Sequence, residues 1–491
     1  MTNLHSWKNV CAAFLFSVLA TIASPAQTFT TLLDFTGTPG QAPSALMQGF
    51  DGDFYGTTES GGANNSGSAF KITSSGTMTT LYSFCSQFGQ GFCSDGKAPT
   101  EGLVQATDGT FYGTTITGGM NGMGSIFTID PSGKFTSLYS FCAQMYCTDG
   151  FQPDGLVQAI NGNFYGTAEF GGQLFYGTVF EITPTGTLTT LHSFDNKDGN
   201  NPYATLLQAT NGNLYGTTIT GSGPSIGGTV FQVTPSGTLT TVHYFNEAKG
   251  DVGGAFPNGL IQGPDGSLYG TTENGGTGTQ GKQCYGGNCG VVFRITPAGK
   301  FTTIYNFCSQ TNCSDGGFPQ AGLVLGSDGN FYGTTDMGGN NNNAGTIFKI
   351  TPQGVLTTLY TFCSQTNCTD GANPGTALMQ STDGNFYGTT FSGGQGGLSG
   401  DMGTIFRLST GLGPFVKLVR NAGKVGQTGG ILGQGFTGTT GVFLNGTPAS
   451  FTVVSDTYIQ ATVPAGGTSG FVTVDTPGGV LTSNVPFHVI P

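Results

Sequence analysis

One short phrase, an aromatic or leucine residue followed by Tyr-Gly-Thr, is repeated seven times along this chain. It first appears as Phe54-Tyr55-Gly56-Thr57-Thr58 and returns every 50 to 63 residues. The tyrosines of the seven copies are Tyr55, Tyr112, Tyr165, Tyr215, Tyr269, Tyr332 and Tyr387. A period near fifty residues, built from short apolar segments, is typical of propellers and solenoids. The chain is therefore predicted to be a tandem-repeat protein.

Turn residues divide each repeat into four predicted strands, which we call A, B, C and D. In the second repeat, A covers 102–105, B 111–115, C 125–129 and D 135–141. The C–D turn usually reads Pro-x-Gly, and every A–B turn is Asp-Gly or Asn-Gly, which tolerates the positive φ angles of a tight hairpin. The A–B turns begin at Asp51, Asp108, Asn161, Asn211, Asp265, Asp328 and Asp383.

Seven units of four antiparallel strands, with no helical periodicity, predict an all-β, seven-bladed β-propeller over residues 27–410. A strand D at 29–35 precedes the first A–B–C unit, and the last unit stops after strand C at 403–408. We expect the N-terminal strand to complete the final blade and close the ring. A blade divided as D–A–B–C would need no such closure, and an open superhelix is the structural alternative.

The pattern of Gly-Leu-Val-Gln, Phe-Tyr-Gly-Thr-Thr and Gly-Gly resembles the GloVer tandem repeat over residues 29 to 409. That family is described as choice-of-anchor tandem repeat proteins, exported by bacteria and largely without assigned activity. The resemblance implies a C-terminal sorting segment in many members, and this chain shows none. The Gly-Gly pairs also give a looser similarity to kelch repeats, but the only tryptophan is Trp7, so the kelch tryptophan is missing.

Residues 1–26 are predicted to be a secretory signal peptide. Lys8 supplies the positive region, and the apolar stretch 10–23 is too short to span a bilayer comfortably. Small residues at Ser24 and Ala26 predict cleavage after Ala26, with an uncleaved membrane anchor as the alternative. No other apolar run approaches spanning length, so no transmembrane segment is expected in the mature chain. The predicted location is secreted or extracytoplasmic, with the cell surface included.

The strongly acidic composition restricts the partners that this chain can bind. Its formal net charge is −12 and its isoelectric point is near 4.5, whereas only 8% of its residues are charged. Nucleic acids and anionic membranes attract basic surfaces, so neither is an expected partner. A polysaccharide or a surface protein remains the candidate partner.

Ten cysteines of the predicted mature chain form five pairs that are close in sequence, and an even count in an exported chain indicates disulfides. Zinc is the alternative, but it needs four converging ligands, and no histidine lies near these pairs. No metal or other cofactor is predicted. The expected disulfides are Cys85–Cys93, Cys142–Cys147, Cys284–Cys289, Cys308–Cys313 and Cys363–Cys368.

The repeated phrase is absent from residues 411–491, which are predicted to be a second domain. Short apolar segments separated by turn residues favour a β-sandwich. The pieces 433–436 (Gly-Gln-Gly-Phe), 443–449 (Phe-Leu-Asn-Gly-Thr-Pro-Ala) and 463–466 (Val-Pro-Ala-Gly) resemble an IPT/TIG domain, which has an immunoglobulin-like fold. That resemblance implies a spacer or an interaction module.

No catalytic residue is predicted. His192 and His243 fall in strand D, where other repeats carry tyrosine, so both are expected to be packing residues. A Ser-His-Asp triad has little support, and paired cysteines leave no thiol nucleophile. Aspartates before strand A, such as Asp95 and Asp149, are interpreted as turn residues.

Carboxylates that directly follow strand B are the candidate ligand-binding residues. In a ring, these equivalent positions project to one level, where acids can rim a cation or sugar site or act as general acid and base. The alternative is that strand ends are simply solvated. The hypothesis requires these side chains to point toward the central channel. The four candidates are Glu59, Glu169, Glu273 and Asp336.

Two classes of function remain open on the sequence. The first is an exported, non-enzymatic binding or surface protein of unknown ligand, because no convergent catalytic set is visible. The alternative is a carbohydrate-active enzyme, a lyase or a glycoside hydrolase, that uses carboxylates on the propeller face. Propellers host both classes, so the predicted fold does not choose between them.

Overall fold

The computed structural model describes residues 27–89, 91–221, 226–246, 253–278, 289–339, 342–397 and 402–490. The predicted signal peptide, 1–26, lies outside the described residues. Within them the chain is built of short antiparallel strands and has almost no helix, which confirms the all-β prediction. The helical segments are three-residue 3-10 turns at Met145–Cys147, Thr311–Cys313, Thr366–Cys368 and Gly394–Gly396.

The first strand and the strands of the first three repeats form in chain order, separated by the predicted turns. Within each repeat, neighbouring strands A, B, C and D pair antiparallel. The bounds are β1 Thr28–Asp34, β2 Gln41–Pro43, β3 Met47–Gln48, β4 Phe54–Ser60, β5 Ser68–Ile72, β6 Met78–Ser83, β7 Phe88–Gly89, β8 Phe92–Cys93, β9 Val104–Gln105, β10 Phe111–Thr115, β11 Ser125–Ile129, β12 Phe135–Ser140, β13 Phe151–Gln158, β14 Phe164–Phe170, β15 Thr178–Ile182 and β16 Leu188–Ser193.

The remaining four repeats follow the same order, and the last of them ends with its strand C. The bounds are β17 Asn200–Pro202, β18 Leu207–Gln208, β19 Leu214–Thr220, β20 Thr229–Val233, β21 Leu239–Tyr244, β22 Ala255–Gln262, β23 Leu268–Asn274, β24 Val291–Ile295, β25 Phe301–Asn306, β26 Val324–Leu325, β27 Phe331–Thr335, β28 Thr346–Ile350, β29 Leu356–Thr361, β30 Met379–Gln380, β31 Phe386–Thr390 and β32 Thr404–Ser409.

Strand β1 pairs with β32, so the N-terminal strand is the fourth strand of the last sheet of the repeat region. In this antiparallel pair Thr31 lies opposite Phe406, and Phe29 lies opposite Leu408. The sheet order is β1-β32-β31-β30. The two ends of the repeat region are therefore joined by backbone hydrogen bonds.

Aromatic ring pairs join neighbouring sheets at five of the seven junctions, and leucine takes the place of the second ring at the other two. Tyr55 stacks on Phe111 of the following repeat, with ring centroids 4.1 Å apart, and Tyr387 of the seventh repeat contacts Phe54 of the first at 4.2 Å. These rings are buried, and each aromatic pair contributes about 0.5–1.5 kcal/mol beyond its buried area. In four repeats the aspartate of the A–B turn accepts from the tyrosine hydroxyl, as Asp51 does from Tyr55 at 2.8 Å, whereas Asn161 and Asn211 donate to it.

Glutamines at the end of strand A form a second set of contacts between repeats. The side-chain oxygen of each accepts the backbone N–H of the A–B turn in the preceding repeat. The donor–acceptor pairs are Phe50–Gln105, Thr107–Gln158, Ile160–Gln208, Thr210–Gln262, Ser327–Gln380 and Thr382–Gln48. At the remaining junction the donor position is Pro264, which has no N–H, and the acceptor position is Leu325. This junction therefore lacks both the N–H donor and the glutamine acceptor of the hydrogen bond.

The C-terminal residues form two four-stranded sheets that share one hydrophobic core, with Ile431 and Ile459 from one sheet and Val442 and Val474 from the other. A two-stranded parallel pair, β34 with β42, completes this module. The bounds are β33 Lys417–Leu418, β34 Ala422–Lys424, β35 Thr428–Leu432, β36 Gly441–Leu444, β37 Thr447–Pro448, β38 Phe451–Ser455, β39 Tyr458–Thr462, β40 Val472–Thr476, β41 Gly479–Thr482 and β42 His488–Ile490.

The C-terminal module rests on the A–B turns of the repeat region. Tyr458 stacks on Phe50 with ring centroids 4.2 Å apart, and Thr457 Oγ1 donates to the Phe50 carbonyl at 2.7 Å. Arg420 donates to the carbonyl of Ile160 in the third repeat at 3.3 Å. The Phe415 N–H donates to the carbonyl of Thr382 in the seventh repeat, and residues of the module and of the fourth and fifth A–B turns line one small pocket. The module therefore contacts turns of the first, third and seventh repeats and faces those of the fourth and fifth.

Candidate functional site

A cavity of about 440 Å³ is lined by residues at or just before strand A of all seven repeats. Its wall contains small and neutral residues from most of these repeats, such as Ala45, Gly259 and Ala321, together with Glu101 and Tyr203. No lysine or arginine lines it among the described residues. The cavity is therefore a shared space that no single repeat builds alone.

In each repeat, one residue with a strained backbone conformation directly precedes the segment that lines the cavity. The residue before each proline has a left-handed φ, between 50° and 57°, which is uncommon for residues other than glycine. Its backbone N–H donates to a carbonyl of the preceding repeat, and Ala42 in the first repeat donates to Met402 in the seventh. The seven residues are Ala42, Ala98, Gln152, Asn201, Phe256, Phe318 and Asn373.

Glu101 from the second repeat lies on the cavity wall against its neighbours. The Thr205 hydroxyl of the fourth repeat hydrogen-bonds to its side chain, while burial raises the pKa of Glu101 to about 7. Gly155 of the third repeat lies against the side chains of both Glu101 and Thr205. A Cβ at Gly155 would collide with Thr205 Oγ1 and would stand 3.4 Å from Glu101 Oε2. Near neutral pH this carboxyl can therefore either donate or accept a proton.

Asp154 is a second acid near this wall; it lies two residues before the lining residue Leu156, does not itself line the cavity, and only 4% of it is exposed. Thr167 Oγ1 donates to its Oδ2 at 3.2 Å. Burial, reinforced by the charges of Glu101 and Glu169, raises the pKa of Asp154 well above its ordinary value. At the same place the first repeat has Ser44 and the fifth has Asn258, so the structure accepts a neutral polar group there. A protonated Asp154 can donate a hydrogen bond.

Tyr203 completes the polar part of the wall, and half of its surface is exposed. Burial and the charges of Glu101, Asp154, Glu169 and Glu59 all raise its pKa, so the phenol stays neutral at physiological pH. Hydroxyl and carboxyl groups of repeats 2 to 4 thus gather on one side of the cavity. The acidic side of the cavity is an asymmetric feature of an otherwise repetitive structure.

The four acids predicted from the sequence lie at the ends of the B strands, and the electrostatic interactions relate them in two groups. Glu59 and Glu169 are near enough to Tyr203 for their charges to raise its pKa. Glu273 and Asp336 form a separate group, in which burial and then the charge of Glu273 raise the pKa of Asp336 to about 6. None of the four lines the cavity itself. Their role in ligand binding stays a prediction.

Sequence reasoning missed Glu101, Asp154 and Tyr203. Each stands in the segment between the proline and strand A, where other repeats have small or neutral residues such as Ser44 and Ala321. That departure from the repeat was a detectable signal. The segment varies in length between repeats, however, so the equivalent positions are not evident from spacing.

The aspartates before strand A do more than form a turn, because each also pairs with a side chain of strand D. Asp95, for example, is fully buried and accepts from the Tyr82 hydroxyl at 2.7 Å and from the Ser86 N–H at 2.8 Å. His192 replaces tyrosine in this arrangement, with Nε2 2.7 Å from Asp198. His192 is therefore a packing residue, as predicted. The pairs are Tyr82–Asp95, Tyr139–Asp149, His192–Asp198, Tyr305–Asp315 and Tyr360–Asp370.

Four of the five predicted disulfides are present: Cys85–Cys93, Cys142–Cys147, Cys308–Cys313 and Cys363–Cys368. For the predicted pair Cys284–Cys289, Cys284 lies outside the described residues, and Cys289 is disulfide-bonded. The sulfurs of Cys289, Cys308 and Cys313 lie within 4.8 Å of one another. Because all three are in disulfides, they are not thiolate ligands for a metal.

Within the described part of the chain, no helix is long and apolar enough to cross a membrane.

Repeated antiparallel sheets around a shared cavity, with disulfides that close short loops, define an all-β tandem-repeat protein. The Gloeobacter/Verrucomicrobia repeat matches residues 16–146, 142–312 and 283–447. The chain belongs to this Gloeobacter/Verrucomicrobia repeat family, in agreement with the resemblance in its sequence. No curated protein matches the chain.

Solved structures resemble this chain only at low identity. The extracellular domain assigned to a one-component system of B. thetaiotaomicron has 12% identity and a TM-score of 0.49, and the match covers 95% of this chain and 58% of that one. Hydrazine synthase of Kuenenia stuttgartiensis has 14% identity and a TM-score of 0.47, with 76% and 96% covered. The chain thus spans less than two thirds of the first of these structures. Neither likeness assigns a ligand or an activity to it.

Proposed function

We propose that this chain is an exported, non-enzymatic binding protein that holds an uncharged, polyhydroxylated ligand, the end of a glycan, in its axial cavity. The observation that carries the proposal is the pair Glu101 and Tyr203 on a cavity wall without basic side chains, with the buried Asp154 close enough for its charge to act on Tyr203. Neutral acids and hydroxyls both donate and accept hydrogen bonds, as sugar hydroxyls require. The cavity volume suits one or two sugar rings and not a folded partner.

The proposal includes a seven-bladed propeller over residues 27–410, closed by the N-terminal strand. Three kinds of contact between the seventh repeat and the first support it: the Thr31–Phe406 strand pair, the Tyr387–Phe54 ring contact and the Thr382–Gln48 hydrogen bond. An open superhelix leaves its terminal repeats apart, and these contacts argue against it.

Residues 411–491 are proposed to be an IPT/TIG-like β-sandwich that closes one end of the cavity. Two sheets around one core support the sandwich. Contacts with the turns at Phe50, Ile160 and Thr382, and a pocket shared with the turns of the fourth and fifth repeats, support a position across the axis at the A–B end. A ligand would then enter from the opposite face, which carries the disulfide loops and the ends of the B strands.

Export is supported by the disulfides, which persist in oxidising compartments and are rare in the cytosol. Cys85–Cys93 and the three bridges that follow it occur in separate repeats, each closing a short loop. The predicted signal peptide, residues 1–26, is in keeping with this. The proposed location is secreted or extracytoplasmic.

A second candidate function is a carbohydrate-active enzyme. The observation that favours it is the pKa of Glu101, near 7, beside Asp154, because a carboxyl with a raised pKa can protonate a leaving oxygen. In this alternative Glu101 is the general acid. The predicted acids Glu59, Glu169, Glu273 and Asp336 would flank the entrance.

A glycan array with the purified mature protein, followed by product analysis of each bound glycan, tests the proposal. We expect binding without any change in the glycan, and binding about tenfold weaker in Glu101→Gln, which loses the acidic donor, and in Tyr203→Phe, which loses the phenol hydroxyl. Asp108→Asn is the matched control, because it creates the Asn-Gly turn that other repeats use. Cleaved product that disappears in Glu101→Gln would favour the enzyme, and absence of glycan binding would overturn the proposed ligand.

A further inference from the structure

Eight large apolar side chains are exposed on four loops of the second and third repeats, and we call them the aromatic–methionine patch. Each is between 41% and 77% exposed. They account for eight of the seventeen exposed large hydrophobic residues in the described part of the chain. The patch consists of Phe88, Phe92, Met120, Met123, Met145, Tyr146, Leu174 and Phe175.

The patch has two structurally equivalent halves. In each half, a disulfide-bridged loop packs on the Gly-Gly loop after strand B: the Gly119 N–H donates to the Cys93 carbonyl, and the Gly172 N–H donates to the Cys147 carbonyl. The halves adjoin because the Gln152 N–H donates to the Met123 carbonyl. The eight side chains therefore lie on adjoining loops of neighbouring repeats, at equivalent positions of the fold.

The fold does not need apolar side chains at these loops. The loop 142–147 carries Met145 and Tyr146, whereas the loops 308–313 and 363–368 carry Thr-Asn at the same positions. The backbone is the same in all three, with φ of 61° at Tyr146, 56° at Asn312 and 59° at Asn367. Two polar residues thus build the same bridged turn elsewhere in this chain.

Tyrosine is also unfavourable at this position for the backbone. Asparagine adopts a left-handed φ far more readily than a bulky aromatic residue does. Phe175 in the other loop of the same half has a φ of 65° as well, and half of it is exposed. Two aromatic rings are thus held in unfavourable backbone positions where they face solvent, and such cost is typical of functional surfaces.

We infer that the aromatic–methionine patch is the interface at which two copies of this chain form a twofold dimer. A chain with a net charge of −12 repels its own copies, except where its surface is uncharged. The loops 86–94, 118–124, 143–148 and 171–177 contain no charged residue. A twofold axis places each half of the patch against the other half in the second copy, as an isologous interface requires.

Sedimentation velocity of the mature protein over about 1 to 100 µM tests the dimer, because this range brackets a micromolar dissociation constant. We expect a reversible dimer. In Met145→Thr/Tyr146→Asn the dissociation constant should rise about 100-fold, because two exposed anchors of the patch are removed. The double variant should fold, because Thr-Asn is the natural pair in two equivalent loops.

Val355→Ser is the matched control, because Val355 is 64% exposed in a C–D turn, away from the disulfide loops. It should leave the dissociation constant unchanged. A monomer over the whole range would overturn the inference, as would equal dissociation constants for wild type and the double variant. Binding of monomeric wild type to neutral phosphatidylcholine vesicles would also overturn it, in favour of a lipid surface. These results do not depend on the ligand of the cavity.

Discussion

The backbone N–H of Thr382 donates to the side-chain oxygen of Gln48 at 3.1 Å, which joins the seventh repeat to the first. Gln48 Nε2 also donates to the Thr382 hydroxyl at 3.1 Å. Five other junctions have the equivalent backbone bond, so this contact belongs to a series and is not an isolated loop contact. The join between chain ends uses the same chemistry as the joins within the chain.

Removal of this glutamine should weaken the junction. Gln48→Ala leaves the buried Thr382 N–H without its acceptor and is expected to lower the free energy of unfolding by about 1–3 kcal/mol, as measured by urea denaturation. Leu325→Gln is the matched control, because Pro264 offers it no N–H. The free energy of unfolding should rise only in the double variant Pro264→Ala/Leu325→Gln, which supplies both the N–H donor and its acceptor. Equal stability of Gln48→Ala and wild type would contradict the role of the bond.

His192 and Asp198 should behave as the counterpart of the tyrosine–aspartate pairs. His192→Tyr is expected to change the free energy of unfolding by less than about 0.5 kcal/mol, because tyrosine satisfies the same carboxylate in four other repeats. His192→Phe should lose about 1–2 kcal/mol, because it leaves Asp198 without this partner. Tyr305→His, the reverse exchange, is the control. A loss of ligand binding in His192→Tyr with intact stability would show that the histidine has a further role.

Stability should fall as the pH rises through neutrality, because burial raises the pKa of Glu101 from 4.5 to about 7. The folded chain then holds a proton that the unfolded chain releases earlier. This contribution is complete below pH 4.5 and is lost as the pH rises through 7. Glu101→Gln should reduce the difference in unfolding free energy between acidic and alkaline pH by up to about 3 kcal/mol. Denaturation curves of wild type and variant at several pH values measure it, and parallel curves would contradict the raised pKa.

Each short disulfide should contribute modestly to stability. Cys363→Ser/Cys368→Ser opens a loop of about five residues and is expected to cost about 2 kcal/mol in the free energy of unfolding. Thr366→Ala, at an exposed position of the same loop, should cost nearly nothing. Reduction of wild type should shift the urea midpoint further than the double variant alone does, because the other bridges open too.

Local turn chemistry explains why so much of the fold was predictable. Asp-Gly at Asp51 and its counterparts accepts the backbone angles of a hairpin, so strands A and B were placed without knowledge of distant contacts. The close cysteine pairs were also local, since residues five apart, such as Cys363 and Cys368, meet within one loop. The all-β repeat class and four disulfides follow from interactions of short range.

Contacts between repeats were harder to predict. Pro264 and Leu325 both differ from the residues at the equivalent positions of the other repeats. Only the structure shows that the two positions face each other as donor and acceptor of one junction. Four acids after strand B were predicted to share a site, whereas the acid on the cavity wall is Glu101 and Asp154 is buried near it. Equivalent positions in sequence did not identify which carboxyls are buried, because burial depends on neighbouring repeats.

The amino-acid sequence alone therefore determined the repeat, its hairpins and its bridged loops, because each depends on the backbone preferences of a few adjacent residues. The tertiary structure decided which side chains meet around the cavity, which junction lacks its glutamine, and where the C-terminal module rests. These outcomes depend on desolvation and on partners from other repeats. Glu101, Asp154 and Tyr203 come from three repeats, and they lie near one another only because packing brings those repeats together.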